Sequence, residues 1–357
     1  LYAEPVLSDD RTSAALASVL SDSVREGAFP GATLLVSVRR RLVAAAAAGR
    51  LRGEPDAAPV RLDTRYDLAS VTKPFVSVAV AQLIEQGALA LDDPASRHLP
   101  ELPPNKAAIT IRQLLAHTGG LPGGQELQGI HTERAPLRRA ILDVALLSPP
   151  GTRVAYSSLG YLYLGWIVER LSGTSLDRHL AKAVFEPCGL TSTGFEPLGR
   201  VQPDAAATER LADGRVVQGW VHDEKAQILG GITGHAGLFA PVADVLRFGE
   251  AVSAGEELGL GASRRLLFGD LTGSLDPQRS AAFIVDDPLF ATFDATGFSH
   301  TGFTGTSLCL VPARGLVVAL LTNRVHPTRE NERIGPARTR LHRAVHEALR
   351  ASAPDRR

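Results

Sequence analysis

A chain of 357 residues, 44% hydrophobic and 21% charged, carries enough apolar material for a large core. Its 38 acidic residues balance 38 basic ones, which argues against a nucleic-acid or anionic-membrane surface as its main feature. No run approaches the ~18 apolar residues of a membrane-spanning helix, and the two cysteines, Cys188 and Cys309, show neither redox nor metal-ligand spacing.

Residues 13–27 place apolar side chains at helical spacing and end at a glycine, which predicts a helix. "GATLLVSVRR" and "RLVAAAAAGR" follow as a predicted strand pair. From about residue 69 the grammar changes. "VTKPFVSVAVAQLIEQGAL", "TIRQLLAHTGG", "LRRAILDVALLS", "LGYLYLGWIVERLSG" and "VADVLRFGEAVSAG" all read as helices. The second has a marked start, because Thr110 and Gln113 have the spacing of a capping box, and Gly119 and Gly120 stop it. The last part returns to strands, "GTSLCLVP" and "GLVVALLTNR" joined by "PARG", and closes on the amphipathic "ARTRLHRAVHEALR". The expected architecture is α/β (α+β), one two-lobed domain over 1–357. Residues 1–68 and 286–357 form an antiparallel-sheet lobe with terminal helices, and 69–285 form an inserted, mainly helical lobe. A cleft between lobes is the natural place for a site. The chain begins at Leu1, so an upstream export segment stays open, and with it an exported or a cytoplasmic location.

The chemical motifs are found first by elimination. The chain has no phosphate-binding P-loop, no G-x-S-x-G elbow, no H-E-x-x-H and no dinucleotide fingerprint after a strand. Lysine occurs only at 73, 106, 182 and 225; every other basic residue is arginine. Ser70 and Lys73 stand where "DLAS" runs into the first long helix, and a spacing of three puts them on one face. A serine hydroxyl needs a proton acceptor before it can attack. Lysine can serve if its pKa is lowered; arginine cannot. In a chain that otherwise prefers arginine, Lys73 is kept for that chemistry. The alternative is a chance S-x-x-K at a helix start. Tyr156 lies on the connection after "PPG", where a phenol can face a cleft and act as a base. Tyr161 and Tyr163 read as packing residues. His300, Thr301 and Gly302 precede a strand, where glycine permits close approach and backbone N–H groups can serve an oxyanion. His117, His222, Asp223 and His235 read as scaffolding.

S-x-x-K at 70–73, Y-x-S at 156–158 and H-T-G at 300–302, in that order, resemble the signature of serine β-lactamases and penicillin-binding proteins. The tyrosine motif points to the branch of class C β-lactamases, D-alanyl-D-alanine carboxypeptidases and related esterases. Flanking stretches such as "TRYDLASVTKPF", "PPGTRVAYSSLGYLYLGWIVERLSG" and "HTGFTGTSLCLVPARGLVVALLTNRVHP" extend the likeness over nearly the whole chain from Gly31. The resemblance implies a β-lactamase-like fold and a cofactor-free, metal-free serine hydrolase acting through a covalent acyl-enzyme on ester or amide bonds of a small-molecule or peptide substrate. Ser70 would be the nucleophile, Lys73 its proton acceptor and Tyr156 the activator of the deacylating water. Thr301 and Gly302 would line the cleft, and the N–H groups of Ser70 and Phe303 would form the oxyanion hole. An acylating penicillin sensor without turnover, and a true class C-like β-lactamase, are the alternatives. Ser158, His300 and Phe303 would join Thr301 and Gly302 in binding substrate, but two of them depart from the pattern: Ser158 stands where asparagine, whose amide helps hold the lysine and the substrate amide, is usual, and His300 where lysine is usual. With a reference pKa of about 6.5, His300 is expected to hold a substrate carboxylate only when protonated, so KM for such substrates would rise through about pH 6–7.

Overall fold

The computed structural model describes residues 10–127, 129–196, 202–290 and 293–351. In chain order its strands are β1 (Gly31–Val38), β2 (Arg41–Gly49), β3 (Tyr66–Asp67), β4 (Gly194–Phe195), β5 (Ala207–Arg210) and β6 (Val216–Gln218). They continue with β7 (Leu238–Ala240), β8 (Ile284–Val285), β9 (Phe298–Thr301), β10 (Ser307–Val311) and β11 (Leu316–Thr322). The main sheet has the order β2-β1-β11-β10-β9-β8 and is antiparallel throughout. The two ends of the chain therefore meet at its centre, where β1 pairs with β11.

Period-2 side-chain alternation decides what each face of that sheet packs against. Leu34, Val36, Val318 and Leu320 join Leu16 and Leu20 of helix Asp10–Arg25 and Leu341 and Val345 of helix Ile334–Ala351 in one core. Leu35, Val317, Ala319 and Leu321 point the other way, into a larger core shared with the central helices. β11 is covered on both faces, which is why "LVVALLT" is continuously apolar and not alternating. On the second face helix Val242–Ala254 approaches closely at Gly249, where a Cβ would lie 2.7 Å from Val317 and 3.0 Å from Leu308.

The predicted terminal helices and hairpins are present, and the helix Ile111–Leu115 starts with the expected reciprocal Thr110–Gln113 capping box. The β1–β2 turn is unusual. Arg39 and Arg40 both have positive φ, 49° and 62°, in a position that favours Asn-Gly. The stretch from 69 to 285 also carries five short strands, β4 to β8, that its helical periodicity did not announce. Cys188 and Cys309 are separate buried thiols, and burial pushes Cys188 up to about 12. Among the described residues no helix is long and apolar enough to cross a membrane.

Candidate active site

The site begins at the turn after β3. Asp67 closes that strand and accepts two backbone N–H groups, from Ala69 at 2.8 Å and from His222 at 2.7 Å. Ala69 is held at φ +47°, a left-handed conformation that alanine adopts only under constraint. This turn delivers Ser70 to the start of helix Thr72–Glu85. One turn on, Lys73 is fully buried, with Nζ 2.9 Å from Ser70 Oγ and donating to the His235 carbonyl at 3.1 Å. Burial holds the Lys73 amine below the ordinary lysine range; Tyr156 and Asp223 oppose that shift and Lys225 adds to it.

Tyr156 is positioned by His117. The peptide N–H of Ala155 donates to the His117 carbonyl at 2.9 Å, and that of Ser157 donates to His117 Nδ1 at 3.1 Å. His117 is therefore structural, as its sequence context implied, but it grips both sides of Tyr156, with ring centroids 4.6 Å apart. Burial, then the cations Arg279 and Lys73, keep His117 well below 6.5 and neutral. Lys73 Nζ sits 4.9 Å from the Tyr156 ring centre. Tyr161 and Tyr163 are packing residues whose hydroxyls donate to the Leu115 and Ile141 carbonyls. Ser157, not Ser158, caps helix Ser158–Ser172 through its hydroxyl. Ser158 makes no side-chain hydrogen bond among the described residues and does not line the cleft. What steadies Lys73 is the His235 carbonyl, with no contribution from that position.

The third motif enters from β9. Gly302 follows the strand and donates its N–H to the Thr306 carbonyl at 2.8 Å. A Cβ there would lie 2.1 Å from Thr306 Oγ1 and 2.5 Å from the Leu68 carbonyl, so only glycine fits. Thr304 and Thr306 then donate to the carbonyls of Asp67 and Leu68, at 2.7 and 2.9 Å. The loop 302–306 is thus sewn to the turn that presents Ser70. The N–H groups of Ser70 and Phe303 have no acceptor among the described residues. Phe303 is 48% exposed and lies between the His222 ring, 5.7 Å away, and the Arg324 guanidinium, 4.4 Å away.

His300 does not behave as its reference pKa suggested. It is buried, and its Nδ1 donates to the Thr301 carbonyl at 3.0 Å, leaving Nε2 as an unpartnered acceptor. Burial first, then Lys73 and Arg279, hold it well below 6.5. His300 is neutral across the working range and cannot be the pH-dependent carboxylate anchor expected above.

Ser70, Tyr156, His300 and Phe303 line one cleft together with Arg279, Arg324 and Arg338. The three arginines were not legible in the sequence, because this chain uses arginine as its default basic residue and they lie outside the motifs. The segment read as scaffolding, 222–235, backs the site from behind. His235 Nε2 lies 3.0 Å from Asp223 Oδ1 without the alignment of a hydrogen bond, burial holds this imidazole below its ordinary pKa, and Lys225 reaches Asp223 Oδ2 at 3.4 Å. Among the described residues no cluster of side chains could hold a metal ion.

This geometry can be set beside known proteins. The Beta-lactamase family model matches residues 16–342. An N-acetylmuramyl-L-alanine amidase of Bacillus subtilis is 32% identical, with 84% of this chain and 78% of that protein covered. A putative D-alanyl-D-alanine carboxypeptidase of Salmonella schwarzengrund is 29% identical, covering 78% of this chain and 74% of that one. The solved structure of EstCE1, a hydrolase with promiscuous acyltransferase activity, superposes with a TM-score of 0.76 at 24% identity, over 94% of this chain and 99% of that one; at that identity the likeness shows the fold. With a family model spanning most of its length and a relative above 30% identity, the chain belongs to the Beta-lactamase family of serine β-lactamases and penicillin-binding proteins, and it is a serine hydrolase acting through a covalent acyl-enzyme.

Proposed function

We propose that this hydrolase is a D-amino-acid-type peptidase or amidase for substrates that carry a free carboxylate, with Ser70 as its nucleophile. The observation that carries the reading is Arg279. It is 6% exposed, lines the cleft, and its guanidinium makes no hydrogen bond or ion pair among the described residues. It stands 5.7 Å from the Tyr156 ring. Arg324 and Arg338 are occupied by backbone carbonyls. A buried, unpaired cation is costly, and a substrate carboxylate is the partner that would offset the cost. The names of the curated relatives, an amidase and a carboxypeptidase, agree with amide cleavage.

In the first half-reaction Ser70 Oγ bonds to the acyl carbon and its proton passes to neutral Lys73. The developing oxyanion sits between the Ser70 and Phe303 N–H groups. Collapse expels the amine, which takes the proton through the Lys73–Tyr156 pair. In the second half-reaction water gives a proton to the Lys73–Tyr156 pair, the phenol passing its own proton to neutral Lys73 as it accepts one from water. The hydroxide formed attacks the acyl carbon, the ester bond to Ser70 breaks, and the pair returns the proton to Ser70 Oγ. Ser70, Lys73 and Tyr156 belong to the stretch 69–285, while His300, Thr301, Gly302 and Phe303 belong to 286–357. That division supports a single two-lobed domain with its site at the junction.

The test is activity against p-nitrophenyl esters, D-Ala-D-Ala peptides, their C-terminal amides and a chromogenic cephalosporin, in wild type and Ser70→Ala. The expected result is preferred cleavage of the free-acid peptides, with turnover lost by roughly 10⁴-fold or more in the variant. Near-normal turnover in Ser70→Ala sinks the nucleophile assignment. Stoichiometric acylation that never turns over, on every substrate, makes the chain a sensor.

A further inference from the structure

Arg338 lies in the C-terminal helix, far along the chain from every motif, yet its guanidinium reaches the cleft. It is 6% exposed and forms no ion pair among the described residues. Nη2 donates to two carbonyls, that of Thr306 at 2.9 Å and that of Gly302 at 3.3 Å, and Nε has no partner. These carbonyls flank the loop that carries Phe303. The Gly302 carbonyl and the Phe303 N–H are the two ends of one peptide group. A cationic donor on the oxygen of a peptide polarises it and strengthens its N–H as a donor. Arg324 holds the next peptide, with Nε donating to the Phe303 carbonyl at 2.7 Å. Two buried guanidiniums thus fix the planes on either side of Phe303, and their mutual repulsion is tolerated there.

We propose that Arg338 is a positioning residue for the oxyanion hole, orienting and polarising the Gly302–Phe303 peptide whose N–H meets the reacting carbonyl oxygen. The inference rests on the reading of Ser70 as nucleophile and Phe303 N–H as an oxyanion donor. It separates two roles an arginine in a cleft could play. A substrate-binding arginine acts on the ground state and the transition state alike and moves KM. A residue that aims an oxyanion donor acts where negative charge develops and moves kcat.

The experiment compares wild type, Arg338→Met and Arg338→Lys, each checked for folding by circular dichroism. It measures kcat and KM on a neutral p-nitrophenyl ester, inhibition by a boronic acid that forms a tetrahedral adduct on Ser70, and inhibition by the product acid. Deleting a whole oxyanion donor costs roughly 10²–10³ in kcat, so misaiming one should cost about 10- to 100-fold. Arg338→Met is expected to lose that factor in kcat and a similar factor in boronic-acid affinity, with KM and product-acid affinity within about threefold. Arg338→Lys keeps the charge but reaches one carbonyl, so its kcat should fall between the two. A folded Arg338→Met with wild-type kcat and boronic-acid affinity overturns the proposal, as does a change confined to KM and product-acid affinity. Should Arg338→Met not fold, Arg338→Lys decides on the same measurements, and wild-type kcat there also overturns it. Failure of the underlying reading looks different: wild type itself is then not labelled at Ser70 by a fluorophosphonate.

Discussion

Replacing Arg279 by methionine keeps an unbranched side chain about as long as the arginine stem and removes the guanidinium with its charge. If the guanidinium receives the substrate carboxylate, the variant loses one charge-assisted contact, worth about 1.5–3 kcal/mol. At about 1.4 kcal/mol per tenfold, that is a roughly 12- to 150-fold rise in KM for an acid substrate. A matched neutral ester has no carboxylate to lose and should keep its KM. The geometry adds a second signature. Arg279 is 6% exposed and has no ion pair among the described residues, so the Tyr156 ring 5.7 Å away offsets only part of its desolvation. Arg279→Met should therefore leave Tm unchanged or raise it by a few degrees while acid binding collapses. Between about pH 6 and 8 the wild-type KM for the acid should stay flat, because an arginine does not titrate there and His300 is held neutral. The assay is KM against pH for the acid and ester pair in both proteins, with thermal unfolding alongside. Acid and ester changing in parallel, or a clear fall in Tm without selective loss, would refute the reasoning.

Lys73→Arg keeps a cation next to Ser70 but cannot cycle a proton, so it should be nearly as damaging as Lys73→Ala, with kcat down about 10²–10⁴-fold in steady-state assays. Tyr156→Phe keeps the ring against His117 and deletes the hydroxyl, so mass spectrometry with a slow ester should show acyl-enzyme accumulating; unchanged burst and steady-state rates would return Tyr156 to a packing role. Asp223→Asn tests the tuning of Lys73. The amine acts when neutral, so activity rises with pH through its folded pKa, and Asp223 pushes that pKa up. Removing the carboxylate should move the acid limb of kcat/KM for a neutral ester to lower pH, while asparagine preserves the cap that Asp223 supplies to the Ala226 N–H. A limb that stays put, or moves up, contradicts the role of Asp223.

The motifs could be read from the chain because their chemistry is local. Ser70 and Lys73 are three residues apart on a helix start, so covalent geometry alone brings them together. The Thr110 capping box, the terminal hairpins and the switch from strand to helix periodicity are likewise short-range patterns that survive in any tertiary setting. Pairing β1 with β11, and thus closing the sheet from its two ends, follows from apolar strands in both terminal thirds. The charge state of His300 and the roles proposed for Arg279 and Arg338 were beyond reach for the opposite reason. A histidine looks titratable in sequence; here burial beside Lys73 and Arg279 makes the charged form too costly. An arginine among so many looks like surface; only the packing of the C-terminal helix against the 302–306 loop takes Arg338 out of water and sets it on the Gly302 carbonyl. Ser158 shows the converse, since its motif position promised a contact that the helix start directs elsewhere. Neighbours a few bonds apart determined which serine and lysine meet, the pair proposed as nucleophile and base. Charge state and partner choice depend on desolvation and on atoms brought together from distant parts of the chain, and those only the folded protein decides.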